Sequence, residues 1–273
     1  MLPKPMHYQK FEPDAALLPF IECYFVWRGQ SEEELDVQSP PNGFGAIVFQ
    51  LGNPYHAYQG KQTPHAVSKA FVSGQFTSNY HLIIKGDIDV IGIVFKPSGL
   101  HNFFGMRMSQ LVNHRMPLEL LLPAQAGSFW SALKTERKVK GRIKLLEEFA
   151  MSLLPAAKAR LSIIDEAVEF IDHHKGRITV EAVALHFKIS RRYVEKHFLE
   201  KVGVSPKFYA RIKRFNTLSK KVAYSKKFDW QDLVFENGLH DQSHLIKEFM
   251  EFNQMNPTEY CSKHTELIRF VKR

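Results

Sequence analysis

The chain is poor in cysteine. Only Cys23 and Cys261 occur among 273 residues, far apart and in no CxxC pair. That excludes a disulfide scaffold and a Cys-rich zinc site, and it fits a reducing compartment. Long apolar runs are missing too. The opening MLPKPMHYQKFEP holds no apolar signal core, and no run approaches the length of a membrane span. We therefore expect a soluble, cytoplasmic protein with no membrane partner. Catalytic signatures are also lacking. There is no GxSxG elbow, no phosphate-cradling glycine loop, and no HxH or HExxH spacing among the scattered histidines at 56, 65, 81, 101 and 114. An enzyme, a resident metal and a cofactor are not expected.

What is present starts with charge. The net charge is +9, and it is unevenly spread. Residues 175–227 hold fifteen Lys and Arg against three acids, a balance of +12, whereas residues 228–273 balance at −3. A basic block of this kind attracts polyanions, so the first part of the C-terminal region should supply most of any phosphate attraction.

The same block contains a pattern. In ITVEAVALHFKISRRYVEKHF (178–198), Thr179 can cap a helix bearing Val180, Val183, Ala184 and Phe187. Lys188-Ile189 makes a turn. Ser190 can cap a second helix whose apolar stripe is Val194, Phe198 and Val202. The outer face of that helix carries Arg191, Arg192, Glu195 and Lys196. Such a helix fits a major groove, although a solvated basic face of an ordinary helical hairpin has the same look. About fifty residues on, FDWQDLVFENGLHDQSHLIKEF repeats the plan. Phe228 answers Ile178, Asp229 answers Thr179 as a cap, Leu233-Val234 answer Val183-Ala184, and Gly238-Leu239 answer the turn. Phe249 answers Phe198. The copies end alike, in Val204-Ser205-Pro206 and Met255-Asn256-Pro257. Two such units can bury each other's apolar faces.

GLHDQSHLIKEF followed by NPTEY resembles the C-terminal signature of the AraC/XylS transcription regulators, and ISRRYVEKHFLEKVGVSPKFY resembles their first helix-turn-helix. The resemblance spans roughly residues 160 to 262. It implies an all-α DNA-binding domain whose two motifs enter successive major grooves, separated by a linker helix at Lys207 to about Tyr224. Three positions depart from the pattern: Leu239 replaces a usual Phe, His240 a usual capping Ser, and Gln254 a usual Gly. His240 is a poorer cap than Ser.

Upstream, FGAIVFQL (44–51) and IDVIGIVF (88–95) read as strands bounded by turn residues, and VSKAFVSGQF (67–76) as a strand or two. HNFFGM, PLELLL and the run from 128 to 154 read as helices. Glu147-Glu148 and Pro155 to Ala159 mark a seam. PFIECYFVWRG, the Pro-Pro-Asn-Gly turn at 40–43, Ser-Gly-Gln at 73–75 and VFKPSGLHNFFG resemble an N-terminal domain of some AraC-type regulators. Such domains bind a small effector, dimerise, or both.

The expected fold class is therefore α+β. A strand-rich sensor or dimerisation domain with flanking helices (1–155) precedes an all-α domain (160–273). The latter holds helix-turn-helix motifs at about 178–202 and 229–253, joined by a linker helix at about 207–224. Expected DNA contacts are Arg191, Arg192, Glu195 and Lys196 in the first motif, and His240, Gln242, Ser243, His244 and Lys247 in the second. Lys213 and Arg214 on the linker are phosphate contacts or, for Arg214, a brace between the halves. Arg suits guanine and Gln242 suits adenine. Candidate ligand-contacting aromatics are Tyr24, Trp27, Phe49, Tyr55, Tyr58 and Phe95, with burial in the core as the ordinary alternative. The expected partners are double-stranded DNA, a small-molecule effector, a second copy of the chain, and RNA polymerase if the protein activates. The rival readings are a constitutive DNA binder whose N-terminal domain only dimerises or meets another protein, and an enzyme with an appended DNA-binding domain.

Overall fold

The structure is a computed structural model that describes residues 6–224, 230–236 and 241–263. Its first half is built on an antiparallel sheet: β1 (His7–Phe11), β2 (Ile21–Ser39), β3 (Gly45–Gln50), β4 (His56–Gln59), β5 (His65–Ala66), β6 (Ala70–Ser73), β7 (Tyr80–Phe95) and β8 (Arg115–Pro117). The order is β1-β2-β7-β3-β6-β8, with β4 on β7 and β5 on β4. β7 serves two partners in turn. Its first part pairs with β4, Tyr80 opposite Gln59, and its last part pairs with β3, Phe95 opposite Gly45. Gly86, between the two, takes φ +85°. The stretch 67–76 yields one short strand, β6. The sequence does not announce β2 as a single 19-residue strand, because its middle, GQSEEELD, is polar and reads as a loop.

Both faces of this sheet are buried, and neighbouring residues alternate between two cores. Tyr24, Val26, Ile47, Phe49, Val72, Ile91, Ile93 and Phe95 face one way; Phe25, Trp27, Ala46, Val48, Phe71 and Val90 face the other. The first face is covered by α1 (Gly99–Phe104), α2 (Leu118–Leu121), α3 (Ala126–Thr135) and α4 (Val139–Ala159), which contribute Leu100, Phe103, Leu118, Leu133, Leu146 and Ala150. Arg142 of α4 is 1% exposed, and its Nη1 lies 2.8 Å from Asp89 of β7. Burial of that charge is tolerable because the same guanidinium also donates to the Glu136 carbonyl. α4 runs through Pro155, inside the stretch read as a seam, and ends at Ala159.

The second half is helical: α5 (Ile163–His173), α6 (Val180–His186), α7 (Arg191–Lys201), α8 (Pro206–Tyr224), α9 (Trp230–Glu236), α10 (Gln242–Asn253) and α11 (Pro257–Lys263). α8 supplies both of its cores. Tyr209 and Ala210 join Val183, Val194, Phe198 and Val202 in one. Ile212, Phe215, Leu218 and Val222 join Leu233, Leu245, Phe249 and Phe252 in the other. Among the described residues, no helix is long and apolar enough to cross a membrane.

Candidate nucleic-acid interface

The first motif is built on short-range signals. Thr179 Oγ1 accepts from the Ala182 amide at 3.1 Å and starts α6. Lys188 turns the chain with φ +53°. Ser190 Oγ accepts from the Tyr193 amide at 3.1 Å and starts α7. Val194 and Phe198 are fully buried, so Arg191, Arg192 and Lys196 are left facing solvent, with Glu195 half-exposed beside them. The four do not stand alike. Arg191 Nε donates to Glu195 at 2.8 Å and its Nη1 to Glu181 of α6 at 2.6 Å. The hydrogen bond and charge of Glu195, then the charge of Glu181, push its pKa above the ordinary arginine value. Arg192 and Lys196 have no ion pair among the described residues.

The second motif uses a different cap from the one anticipated. Residue 240 lies outside the described residues, as do Phe228-Asp229 and the Gly238-Leu239 turn. Asp241, not His240, is the N-cap of α10, and its Oδ1 accepts from the His244 amide at 2.7 Å. A carboxylate there also complements the helix dipole. Gln242, Ser243, His244 and Lys247 are all exposed on α10, while Leu245 and Phe249 are buried. Gln254, in the usual glycine position, adopts the left-handed conformation, φ +58°, and closes the helix.

The linker cations point inward. Lys213 Nζ lies 2.9 Å from Asp172 of α5 and over the rings of Phe44 and Tyr209, at 4.7 and 5.1 Å. Arg214 Nη2 donates to Glu248 of α10 at 3.1 Å, and Arg211 Nε to the same oxygen at 2.9 Å. Glu248 is 2% exposed. Arg214 therefore ties the linker to the second motif. Glu248 and Arg211 are missing from the sequence-based set. The available signal was a carboxylate inside the apolar stripe Leu245, Phe249, Phe252.

Several contacts join the halves of the chain: Lys96 lies 3.6 Å from Glu169 of α5, and two others are a polar cluster and a loop. Asp165 of α5 accepts from Ser98 Oγ and Asn102 Nδ2 of the α1 region, both at 2.6 Å, and lies 3.5 Å from Lys201 at the end of α7. Burial raises the Asp165 pKa, but these hydrogen bonds, the Lys201 charge and the Ser162 amide outweigh it and hold the carboxyl below its ordinary value. The loop contact is made by residues 40–44. Asn216 Nδ2 of α8 donates to the Asn42 carbonyl at 3.2 Å. Gly43 adopts φ +84°, and a Cβ there would stand 3.1 Å from Tyr209.

That loop also walls a cavity of about 210 Å³ on the sheet face away from α3 and α4. Of the six aromatics singled out, Trp27 and Tyr55 line it. Tyr24, Phe49 and Phe95 do not; they pack in the core beneath the helices, on the opposite face. Tyr58 stacks on His81 and donates to Asp36 at 2.8 Å, away from the cavity. The walls instead include Tyr8, Phe25, Phe44, Phe71, Phe76 and Tyr80, whose membership depends on strand register.

A helix-turn-helix domain profile matches residues 183–263, from α6 to the end of α11. The C-terminal region is an AraC-type helix-turn-helix domain. A domain of unknown function, DUF6597, matches residues 9–117, which contain the sheet. No curated relative matches the chain. Among solved structures, ToxT from Vibrio cholerae is similar over 94% of this chain and 98% of its own, at 10% identity and a TM-score of 0.47. ToxT with a bound unsaturated fatty acid covers 96% of this chain and 95% of its own, at 11% identity and a TM-score of 0.43. The AraC-like transcriptional activator CuxR covers 78% of this chain and 94% of its own, at 12% identity and a TM-score of 0.28. Likeness at this level carries no function across. In this domain α7 presents Arg192 and Lys196 to solvent, and α10 presents Gln242, Ser243 and Lys247.

Proposed function

We propose that the chain is a sequence-specific DNA-binding transcription regulator whose N-terminal cavity controls the AraC-type domain. The observation that carries the reading is the pairing of two capped helix-turn-helix units on one linker helix, each presenting an exposed polar face. On α7 that face offers Arg192 and Lys196, without ion-pair partners among the described residues and of the types that read guanine or hold phosphate. On α10 it offers Gln242, Ser243 and Lys247. α8 commits Arg211, Lys213 and Arg214 to internal ties, so it acts as the spacer that sets the distance between the motifs.

Control by a small effector is supported by the 40–44 loop. The loop lines the cavity and touches α8 through Asn42, Gly43 and Phe44. A ligand that favours one position of this loop would bias the linker helix, as unequal binding to two states requires.

The test is binding of the full-length protein to DNA from upstream of its own gene, by fluorescence anisotropy over a salt series with excess random competitor. Saturable binding that survives the competitor supports the reading. A salt slope reflecting several phosphate contacts is expected with it. If competitor abolishes binding, residues 160–273 are tested alone on the same DNA. Binding by that fragment would show inhibition by the N-terminal half. Failure of both on that DNA and on a randomised-sequence selection sinks the proposal.

A further inference from the structure

The cavity has one charged wall residue. Arg115 of β8 packs its guanidinium against Phe76 and Tyr80, with Cζ 4.5 and 4.4 Å from the ring centroids. It has no hydrogen bond or ion pair among the described residues, and no carboxylate lines the cavity. A half-buried guanidinium without a counter-ion is unusual, since charges withdrawn from water are normally paired. The two rings hold its plane in place and leave its edge donors uncommitted.

Two other wall residues carry donors. Trp27 Nε1 is buried on the wall and has no hydrogen-bond partner among the described residues. Asn42 Oδ1 accepts from the Phe44 amide, and its Nδ2 carries two donors on the cavity rim. At Tyr55, burial drives the phenol pKa up while the Arg115 charge pulls it down, so the field of that guanidinium reaches across the space. Most of the remaining wall is apolar: Tyr8, Phe25, Phe44 and Phe71 stand around Val48 and Val90, with Ser39 and Ser73 among them. At about 210 Å³ the cavity is below the roughly 300–1,000 Å³ of drug-sized sites, which restricts the occupant to a small molecule.

We infer that this cavity takes a small arylcarboxylate, its ring among the wall aromatics and its carboxylate on the Arg115 guanidinium. The inference rests on the reading of the cavity as the effector site, and it names the class of effector.

The experiment is calorimetric titration of the full-length protein with benzoate, phenylacetate and trans-cinnamate, each beside its neutral primary amide. At least one acid binds saturably, and its amide binds tenfold or more weakly, as expected for loss of a charge-assisted hydrogen bond. Arg115→Gln abolishes the difference between acid and amide. Should that variant unfold, Ala46→Leu on the facing wall serves instead, and it lowers acid binding at unchanged melting temperature. Equal binding of acid and amide overturns the inference. So do an acid preference that survives Arg115→Gln and the absence of binding by all three acids at millimolar concentration. No DNA is present in this test. A protein that binds its operator but none of the acids loses only the effector class, whereas one that binds an acid but no DNA loses the regulator reading.

Discussion

The side chain of Asn216, near the middle of the linker helix, donates to the carbonyl of Asn42, on the rim of the cavity, at 3.2 Å. Few atoms separate a cavity wall from the helix that spaces two DNA-binding motifs. Gly43 beside it permits the approach, because its positive φ and lack of a side chain let Tyr209 pack closely. Gly43→Val should strain the loop and push it from α8. The expected outcome is a DNA affinity of the full-length variant that moves from the wild-type value toward that of residues 160–273, which lack the loop, measured by anisotropy. An identical operator affinity in wild type and variant, with or without arylcarboxylate, would show that this contact transmits nothing.

The Asp165 cluster predicts a pH dependence. Its carboxyl is held below the ordinary carboxylate value of about 4. A depressed pKa in the folded state means that the unfolded chain takes up the proton first. The stability this group contributes is therefore complete above the unfolded value and is lost as pH falls through the lower, folded value. Denaturation midpoints should fall on acidification below about pH 4, and Asp165→Asn should flatten that limb. At neutral pH the same variant leaves Lys201 without its nearest counter-charge and should cost about 3 kcal/mol. Urea titrations of both proteins at neutral and acid pH check the two statements together.

Much of the AraC-type domain was legible because its signals are local. A cap and its amide lie two or three residues apart, as at Thr179 and Ser190, and apolar spacing marks Val194 and Phe198 without reference to the rest of the chain. What was illegible depends on distant partners. Lys213 and Arg214 look like any exposed basic pair until Asp172 and Glu248 are placed opposite them. The aromatics of β2 could not be assigned from sequence, since both faces of the sheet are buried and alternation does not say which face holds a cavity. Tyr24 and Phe25 are neighbours in the chain and belong to different cores. Arg115 escaped notice for the same reason. Its rings, Phe76 and Tyr80, meet it only through the sheet.

Glu248 should matter more for architecture than its single charge suggests. It is 2% exposed and accepts from Arg211 and Arg214 of α8. Glu248→Ala removes the acceptor and leaves the Arg214 guanidinium without its carboxylate, while Arg211 keeps Glu251, a change expected to cost about 3 kcal/mol. The loss should fall on the second motif first, because its core of Leu245, Phe249 and Phe252 packs directly on α8. Nuclease footprints should then shorten to the half bound by α7 while that half stays protected. A full-length footprint at wild-type stability would refute the bracing role.

Arg191 and Arg192 are adjacent, both exposed and differently employed, and this difference predicts how each variant should behave on DNA. Arg191 is committed to Glu195 and Glu181, so a phosphate or base would have to compete with two carboxylates already in contact. Arg192 has no such ties among the described residues. Arg192→Ala should therefore weaken operator binding by about 1–3 kcal/mol at particular base positions if it reads an edge. If it holds a phosphate instead, the loss should be uniform across sequences and the salt slope should fall by about one. Arg191→Ala should change operator selectivity less than Arg192→Ala does. Anisotropy on a set of single-base operator variants measures all three quantities. A larger selectivity change for Arg191→Ala would mean that its two ion pairs open on DNA and that the open face of α7 is led by the first arginine.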